Sequence, residues 1–213
     1  MDEISVIIRN RNEEEWIGHA IQSCLDHFNE PEIIIVDNNS KDQSLEIVNE
    51  FCFSNIKVHN IDSYTPGRAL NYGIDMCSNE MVLVLSAHSQ IINMPPLDEI
   101  KNLLDNYVAV FGKQTPVYRG RKINKRYVWS HFKDQPVVNM WSDLEQRNFL
   151  HNAFCFYRKS VLKEHKFDEK YFSKEDRFWA IKIVENGLSY YYDPRLECYH
   201  HWTKNGATWK GIG

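Results

Sequence analysis

The stretch "IIIVDNNSKDQSLEIV", residues 33–48, decides the fold because its hydrophobic pattern changes from strand to helix within a few residues. Residues 33–36 form a short, uninterrupted apolar run, which is typical of a strand covered on both faces in a parallel sheet. Asp37 ends this strand. We expect a helix to begin at Ser40 with Gln43 as its capping partner. The apolar side chains of that helix recur at helical spacing: Leu45, Val48 and Phe51.

The same order of strand and helix repeats on both sides of this stretch. Upstream, residues 4–8 predict a first strand, and Asn12 followed by Glu15 predicts a capping box that starts a helix. Downstream, residues 56–61 predict a third strand, a helix follows Pro66 and Gly67, and residues 81–85 predict a fourth strand. The first 85 residues or so therefore contain three strand–helix crossovers.

Three such crossovers predict a doubly wound α/β half whose ligand crevice lies at the carboxyl ends of the strands. Arg9, Asp37 and His88 each close a predicted strand, so we expect them along one rim. The chain contains neither GxGxxG nor GxxxxGK[ST]. It therefore lacks both the dinucleotide fingerprint and the P-loop, and a nucleotide must be held in another way.

The pattern is looser after residue 100. Residues 107–111 and 151–157 predict strands, and residues 115–150 between them are irregular. A helix over 174–185 is followed by Gly187, a common signal of a helix end. Residues 189–192 predict a last strand with a polar tail behind it. Because we find no repeat or linker, we expect one domain.

The composition is that of an ordinary soluble protein. The chain has 213 residues, of which 43% are hydrophobic and 25% charged, and its net charge of −4 excludes the basic footprint of a general nucleic-acid binder. The five cysteines contain no CxxC pair, which indicates reduced thiols rather than a zinc site. No signal peptide or run of ~20 apolar residues is present. We therefore expect a cytoplasmic protein.

Four motifs in order resemble those of glycosyltransferase family 2, the inverting transferases of GT-A fold. They are "SVIIRNRNEEEWI", "IIIVDNNSKDQSLEIV", "PGRALNYGI" and "EMVLVLSAH". Farther on, "KEDRFWAIKIVENGL" is similar to the later acidic motif of the family, and "YHHW" stands where a C-terminal histidine often falls. The likeness covers nearly the whole chain, although residues 115–150 match only loosely.

The resemblance implies a single GT-A domain over residues 1–213, an α/β fold with a mostly parallel, Rossmann-like sheet flanked by helices. Residues 1–100 would bind the nucleotide sugar, and residues 101–213 would bind the acceptor and carry the catalytic groups. The implied activity moves a hexosyl or deoxyhexosyl group from a nucleotide-sugar donor to a glycan or lipid-linked acceptor of a bacterial-type surface polysaccharide. "PGRALN" together with "LSAH" also resembles a rhamnosyltransferase-like subgroup.

The resemblance also implies a set of donor-binding residues. Asp37 would accept a hydrogen bond from the base, although a turn or helix-cap aspartate is the alternative. Arg68 opens the third predicted helix, where N–H groups favour phosphate, and a surface salt bridge is its alternative. The full set of expected nucleotide-sugar contacts is Arg9, Asn12, Glu13, Asp37, Asn39, Arg68, Ser86 and His88.

An acidic pair, Glu175 and Asp176, begins the helix of the later motif. An inverting transfer needs one carboxylate to take the proton from the acceptor hydroxyl as that hydroxyl attacks the anomeric carbon. By motif position Asp176 is the expected base, and Glu175 would support it or bind the acceptor. The alternative is that both acids complement the helix dipole.

The family motif at the end of the fourth strand is Asp-x-Asp, whose carboxylates bind Mg²⁺ or Mn²⁺. Here the matching stretch is Ser86-Ala87-His88, without a carboxylate. Imidazole suits Mn²⁺ and later transition metals better than Mg²⁺. His88 could ligate a divalent metal together with His200 or His201, or a protonated His88 could offset the diphosphate charge. The third alternative is that activity is lost.

A basic segment between Arg119 and Lys133 contains no acid and is interleaved with aromatic residues. It predicts a clamp for an anionic, lipid-linked acceptor or a peripheral contact with an anionic membrane. The alternative is a solvated loop whose aromatic residues pack against the domain. The cations are Arg119, Arg121, Lys122, Lys125, Arg126 and Lys133, and the aromatic residues with them are Tyr127, Trp129, His131 and Phe132.

Two other functions are compatible with the motifs. A sugar nucleotidyltransferase uses a similar sheet, but it would carry a Gly-rich loop after the first strand, where this chain has Arg9-Asn10-Arg11-Asn12-Glu13. A non-catalytic nucleotide-sugar binder is the second, because the Asp-x-Asp motif is missing. Turnover by the purified protein distinguishes that binder from an enzyme.

Overall fold

A mixed β-sheet runs through the centre of the protein in a computed structural model that describes residues 2–123 and 129–209. The strands are β1 Ile4–Asn10, β2 Glu32–Asp37, β3 Ile56–Asn60, β4 Met81–Ser86, β5 Ser89–Asn93, β6 Ala109–Tyr118, β7 Arg121–Lys122, β8 Val137–Val138, β9 Trp141–Ser142, β10 Arg147–Asn148, β11 Phe154–Arg158 and β12 Tyr191–His201. Within the described residues ten of them form the central sheet, whose main path is β3-β2-β1-β4-β11-β6-β12-β5, with β7 beside β6 and β8 beside β12. β9 and β10 form a separate two-stranded sheet. The helices are α1 Ile17–His27, α2 Ser44–Glu50, α3 Pro66–Met76, α4 Leu97–Asn106, α5 Lys159–Glu164 and α6 Glu175–Glu185.

The first four strands form the parallel half that the sequence predicts. β1 pairs in parallel with both β2 and β4, and β2 pairs in parallel with β3. Successive side chains of a strand point to opposite faces, so these strands supply two apolar layers. Ile7, Val36 and Val84 contribute to one buried cluster, whereas Ile8 and Ile35 contribute to the other. Both faces are covered, which explains the uninterrupted apolar runs.

Close packing of α3 on this half requires a glycine. A Cβ atom at Gly73 would lie 2.8 Å from a methyl carbon of Ile7, so a larger residue would push the helix away from β1. At the start of the same helix, a Cβ atom at Gly67 would lie 2.6 Å from the carbonyl oxygen of Asp168. Asn71 donates from Nδ2 to the carbonyl oxygen of Phe167 at 2.9 Å. The helix is thereby fixed against the segment that leads into α6.

The second half of the sheet is mixed. β11 runs antiparallel to β4 and to β6, and β12 runs parallel to β6. β6 and β12 therefore point in the same direction as β4, and the carboxyl ends of all three strands reach the same edge. The start of β11 lies at that edge as well.

Two predicted helix starts are wrong. Asn12 does not cap α1: it has φ +54°, its Oδ1 accepts from the N–H of Lys41, and α1 begins at Ile17 without a side-chain cap. Ser40 does not begin α2, since its hydroxyl donates to Asp37 and the helix starts at Ser44. In both places a polar side chain bonds to a neighbouring loop rather than to its own helix.

The strand limits in the second half also differ from the predictions. The fourth strand ends at Ser86, so His88 lies in the turn before β5 instead of closing a strand. β5 and α4 were not predicted as separate elements. The expected polar tail after residue 192 is the longer part of β12, which continues to His201 because β5 and β6 pair with it on both sides. In the part of the chain that the structure describes, every helix is too short or too polar to cross a bilayer.

Candidate active site

The carboxyl ends of β1, β2 and β4 bring three of the predicted site residues together. In the sheet register Arg9 is opposite Ser86, and the neighbouring Asn10 is opposite Asp37. The N–H of Ser86 donates to the carbonyl oxygen of Ala153 at 3.2 Å, which places the segment before β11 beside the end of β4. The expected rim therefore exists for these residues, and it extends to the start of β11.

The acidic pair lies at this rim and is buried. Glu175 is 5% exposed and Asp176 is 8% exposed. Arg9 Nη1 lies 3.0 Å from Glu175 Oε1, so an ion pair joins the end of β1 to the first turn of α6. Asn152 holds both acids: its N–H donates to Asp176 Oδ2 at 3.2 Å, and its Nδ2 donates to Glu175 Oε1 at 3.4 Å.

Electrostatics in this cluster favour a proton or a cation near Glu175. Burial raises the pKa of the Glu175 carboxyl; Arg9 opposes this rise and the nearby Asp176 adds to it. Burial lowers the pKa of the Arg9 guanidinium, but Tyr64, Glu175 and Asp176 together leave it above its ordinary value. Arg9 is therefore a permanent positive charge at the end of β1.

A second cluster contains Glu13, His88 and His200. His88 Nδ1 lies 3.4 Å from Glu13 Oε1, and His88 Nε2 lies 3.1 Å from His200 Nε2. Trp209 stacks on the imidazole of His200 with the ring centroids 5.6 Å apart. Burial, followed by the charges of His88, His151 and His201, holds the pKa of His200 well below its usual range. His200 is therefore a neutral imidazole, the form that ligates metals.

His201 does not join this pair. Adjacent residues of a strand point to opposite faces, and His201 Nε2 lies 3.3 Å from Gln90 Oε1 while its ring stacks on Trp16 at 4.1 Å. Burial, with the charges of His19 and His88, lowers its pKa to about 4. Of the two histidines expected beside His88, the structure brings only His200 to it.

The donor set at His88 and His200 fits a transition metal better than Mg²⁺. The separation of 3.1 Å between the two Nε2 atoms suits either one N–H···N hydrogen bond or two ligands of one ion. Glu13 sits at the other ring nitrogen of His88, where a carboxylate commonly orients a metal-binding histidine. Across residues 2–123 and 129–209, no group of three or more histidine, cysteine or acidic side chains is arranged to hold an ion. A bound substrate or water would supply further ligands.

Asp37 is fully buried and its carboxylate is already hydrogen-bonded. Oδ1 accepts from Asn10 Nδ2 at 2.8 Å and from Ser40 Oγ at 2.6 Å, and Oδ2 accepts from the N–H of Ser40 at 2.9 Å. These contacts match the alternative interpretation of a turn aspartate. Asn39, with φ +51°, is exposed at the tip of this turn, where its Nδ2 donates to the carbonyl oxygen of Ile61.

Arg68 also matches its alternative interpretation. Thr65 caps α3 by accepting from the N–H of Arg68 in the first turn, and Arg68 Nε lies 3.1 Å from Glu169 Oε2 with both side chains about half exposed. Its guanidinium additionally donates to Ser63 Oγ. The side chain is therefore engaged in a surface ion pair.

Several buried polar residues at the site escaped the sequence analysis. Tyr157 donates from its hydroxyl to Asn152 Oδ1 at 2.6 Å, which fixes the amide that holds the acidic pair. Arg177 Nη1 donates to Asp176 Oδ2 at 2.8 Å. Asn152 falls inside the predicted strand 151–157, whereas β11 begins only at Phe154. A single sequence therefore gives no signal that separates Asn152 from an ordinary strand residue.

The basic segment divides into two parts. Trp129, His131 and Phe132 are buried, as the alternative of an inward-packing loop expects. Arg119 is exposed on the turn between β6 and β7, and Arg121 and Lys122 are exposed on β7 itself. With Tyr118 and Ile123 these three residues line a surface cavity. Lys133 is exposed too. Lys125, Arg126 and Tyr127 lie outside the described residues.

The chain matches known proteins over most of its length. The family model described as "Glycosyl transferase family 2" matches residues 5–166. A GalNAc(5)-diNAcBac-PP-undecaprenol beta-1,3-glucosyltransferase of Campylobacter jejuni is 23% identical over 213 residues, covering 98% of this chain and 68% of the relative. A dolichyl N-acetyl-alpha-D-glucosaminyl phosphate 3-beta-D-2,3-diacetamido-2,3-dideoxy-beta-D-glucuronosyltransferase of Methanococcus voltae is 25% identical, covering 92% of this chain and 66% of the relative.

Solved structures show the same fold. Residues 1–349 of TarS from S. aureus, in complex with UDP-GlcNAc, superpose with a TM-score of 0.73 at 22% identity, covering 100% of this chain and 62% of that one. GalNAc-T7 with UDP, GalNAc and Mn²⁺ gives a TM-score of 0.74 at 14% identity, covering 95% and 44%. The predicted GT-A fold is thereby confirmed. The chain spans about two thirds of these two curated relatives and less of the solved structures.

Proposed function

The chain belongs to glycosyl transferase family 2, and from this premise we propose that it transfers a sugar, with inversion, from a nucleotide-sugar donor to a glycan or lipid-linked acceptor of a surface polysaccharide. One observation carries the proposal. Two buried acids at the start of α6 are joined by Arg9 and Asn152 to the edge where the parallel strands end. Ligands of open α/β sheets bind at that edge.

Asp176 is the proposed general base. It accepts the proton of the acceptor hydroxyl while the hydroxyl oxygen forms its bond to the anomeric carbon. The bond from that carbon to the diphosphate oxygen breaks on the opposite face, and its electron pair leaves with the nucleoside diphosphate. Glu175 supports the base. The positive charge of Arg9 interacts with both acids and so offsets the repulsion between the two neighbouring carboxylates.

The donor side of the proposal uses the loops after β1 and β2. Asp37 acts through the turn it shapes rather than through a free carboxylate, since its oxygens already accept three hydrogen bonds. Glu13, Asn12 and Asn39 would contact the nucleoside in this proposal. Arg68 is paired with Glu169, so in this proposal it binds phosphate only if that ion pair breaks when the donor binds.

The diphosphate lies, in this proposal, near Ser86, His88 and His200. A divalent metal, Mn²⁺ rather than Mg²⁺, would be held by the two imidazoles and would offset the negative charge of the departing diphosphate. GalNAc-T7, which shares the fold, has a solved structure with Mn²⁺. The protein's own contribution is to keep His200 neutral through burial and to orient His88 through Glu13.

The acceptor is proposed to approach from the side of the β6–β7 turn. The Campylobacter and Methanococcus relatives act on undecaprenol- and dolichyl-linked acceptors by their names. Arg119 at that turn and Arg121 and Lys122 on β7 are exposed, and the turn follows the part of β6 that pairs with His200 and His201. We propose that these cations contact the phosphate of such an acceptor or an anionic membrane around it. A rhamnosyl donor is one candidate within the deoxyhexosyl class.

A thermal-shift screen of nucleoside diphosphates and sugar nucleotides, each with and without Mn²⁺, tests the proposal. A nucleotide at 100 times its dissociation constant stabilises the native state by about 2.7 kcal/mol, which is a readily measured shift. The best donor should then release its nucleoside diphosphate when a polyprenyl-linked glycan is added. No shift with any nucleotide would contradict the proposal.

A second candidate, a nucleotide-sugar binder without activity, is favoured by one observation, the absence of a carboxylate at Ser86-Ala87-His88. A thermal shift without turnover across a broad panel of acceptors would support it.

A further inference from the structure

Arg177, the residue directly after the proposed base, is buried and contacts it. Arg177 is 8% exposed, and its Nη1 donates to Asp176 Oδ2 at 2.8 Å. Its guanidinium lies over the ring of Phe149, with the central carbon 4.2 Å from the centroid. Phe149 is itself fully buried. The guanidinium is thus packed against a buried ring, which limits its movement relative to the carboxylate.

Glu145 approaches α6 from the short loop between β9 and β10. Its carboxylate is 4% exposed and lies 3.8 Å from Arg177 Nη2 and 3.3 Å from Lys174 Nζ. Lys174 and Arg177 flank the acidic pair in the sequence. Lys174 also has φ +61°, a left-handed conformation that a lysine keeps only where its surroundings hold it. One carboxylate therefore contacts the residues on both sides of Glu175 and Asp176.

The hydrogen bonds to Asp176 distinguish its two oxygens. Oδ2 accepts from Arg177 Nη1 at 2.8 Å and from the N–H of Asn152 at 3.2 Å. Oδ1 accepts from the N–H of Arg177 at 2.8 Å. Each carboxylate oxygen offers about two acceptor positions. Oδ2 is fully used by these contacts, whereas Oδ1 keeps one position for another proton donor.

We infer that Arg177, backed by Phe149 and Glu145, is a positioning residue that occupies Asp176 Oδ2 and leaves Oδ1 as the atom that receives the acceptor proton. This inference rests on the proposed function and deepens it. A base must be held in line with the hydroxyl it deprotonates, and a displacement of about 1 Å costs on the order of 100-fold in rate. Arg177 supplies this orientation without touching the substrate.

The variant Arg177→Gln tests the inference, with Arg195→Gln as its matched control. Arg195 also pairs with a buried aspartate two residues away, Asp193, and lies near the start of β12, at the end of that strand away from His200. Both variants leave a buried carboxylate without its guanidinium. Turnover is measured as UDP release from UDP-GlcNAc, the nucleotide sugar seen with TarS, or from the donor that gives the largest thermal shift.

The expected result is a kcat of Arg177→Gln about 10- to 100-fold below wild type, with the KM for the donor within twofold. Arg177→Lys should recover part of kcat because it restores a donor to Oδ2. Glu145→Gln should lower kcat only a few-fold, since its carboxylate is 3.8 Å from Arg177. Arg195→Gln should keep the wild-type kcat at a melting temperature similar to that of Arg177→Gln.

Three results would overturn the inference. They are an unchanged kcat in Arg177→Gln, a rise in donor KM that accounts for the whole loss, or an equal loss of kcat in Arg195→Gln. A wild-type protein that binds UDP-GlcNAc but neither transfers nor hydrolyses any donor would instead contradict the proposed function, and the inference would fall with it. The two failures are therefore distinguishable.

Discussion

Two clusters of polar groups share one edge of the sheet, and they differ in how completely their hydrogen bonds are made. The acidic cluster around Glu175 and Asp176 is nearly closed: Arg9, Asn152 and Arg177 supply donors to both carboxylates. The histidine cluster is open. Among the described residues, the buried Nδ1 atoms of His88 and His200 and the Oε2 atom of Glu13 have no hydrogen-bond partner, whereas in the acidic cluster one arginine nitrogen, Arg177 Nε, lacks one.

This difference separates a preorganised group from an incomplete one. Buried polar atoms are normally hydrogen-bonded, and the carboxylate oxygens of the acidic cluster that face Arg9, Asn152 and Arg177 follow this rule. A general base must be in place before its substrate arrives, and the acids at α6 meet that requirement. The histidines instead supply neutral nitrogens at a place where diphosphate and metal would bring the charge. Substitutions in the acidic cluster should therefore lower turnover and stability. Substitutions in the histidine cluster should lower the affinity for ligands.

The largest effect is expected from Asp176→Asn, which removes the proposed base and keeps the shape of the side chain. Turnover should fall by about 10²- to 10⁴-fold, the usual contribution of a general base, because an amide cannot take the acceptor proton. Donor affinity, measured by calorimetry, should stay within a few-fold. Near-normal turnover in this variant would reject the assignment and would remove the distinction between the clusters.

The next effect concerns stability. Arg9→Met leaves Glu175 buried without its ion pair, and the free energy of unfolding at pH 8 should fall by about 3 kcal/mol, as for other buried pairs that lose one partner. Burial raises the pKa of Glu175 above its ordinary value. The contribution of this carboxyl to stability is thus complete below the unfolded pKa and is lost as pH rises through the folded pKa. The variant should be less impaired at pH 5 than at pH 8.

Urea unfolding of Arg9→Met, with and without Glu175→Gln, measures this effect. The added Glu175→Gln should restore most of the loss, because the amide carries no charge to bury. Lys163→Met is the control: it removes an ion pair with Asp75 that is almost half exposed on both sides, and should cost less than 1 kcal/mol. An equal loss of unfolding free energy in Arg9→Met and Lys163→Met would show that the buried ion pair contributes no more to stability than the exposed one.

The sequence predicted the acidic and histidine residues better than the contacts between them. Residues 33–36 and 81–85 are uninterrupted apolar runs, and such runs indicate strands of a parallel sheet covered on both faces. The sheet register then puts Arg9 and Ser86 at one edge. Asn152 and Arg177 could not be found in this way. Their role depends on β11 running back beside β4, a long-range pairing that leaves no local pattern.

Two other misjudgements have the same physical origin. Residues 193–201 are polar enough to look like a tail, yet β12 lies between β5 and β6 and has partners on both sides. Asn12 and Ser40 have the spacing of helix caps, yet their side chains bond to the neighbouring loop. Tertiary contacts override local propensity in both regions.

A smaller effect, on ligand binding, is expected at the histidines. His88→Ala removes one of the two facing imidazoles, and Mn²⁺ affinity in the presence of UDP should fall by at least ~30-fold, the order found when metal-binding shells are altered. Electron paramagnetic resonance of free Mn²⁺ measures it without turnover. His201→Ala is the control, because that ring faces Trp16 and Gln90 on the other side of the strand. Equal binding by wild type and His88→Ala would show that the open cluster does not take a metal.

The smallest effect tests the histidine between the clusters, His151. It is 2% exposed, its Nε2 donates to the carbonyl oxygen of Gly112 at 2.7 Å, and its Nδ1 accepts from the N–H of Ala153 at 3.2 Å. Both nitrogens are thus satisfied only in the neutral ring. Burial and then Arg177 lower its pKa to about 3. The stability it contributes is complete above the unfolded pKa, about 6.5, and is lost as pH falls toward 3.

Between pH 7.5 and pH 5.5, His151 should account for about 1.4 kcal/mol of lost stability. The reason is that pH 5.5 lies about one unit below the unfolded pKa, and one unit corresponds to about 1.4 kcal/mol. His151→Gln, which has no titrating group, should therefore lose that much less stability than wild type over the same interval in urea unfolding. His27→Gln is the control, since His27 is exposed at the end of α1. If His151→Gln and wild type lost stability equally, His151 would accept a proton in the folded state, which would contradict a neutral ring with both nitrogens hydrogen-bonded. A histidine that stays neutral beside Arg177 instead indicates that the positive charge of the acidic cluster is already supplied by its arginines.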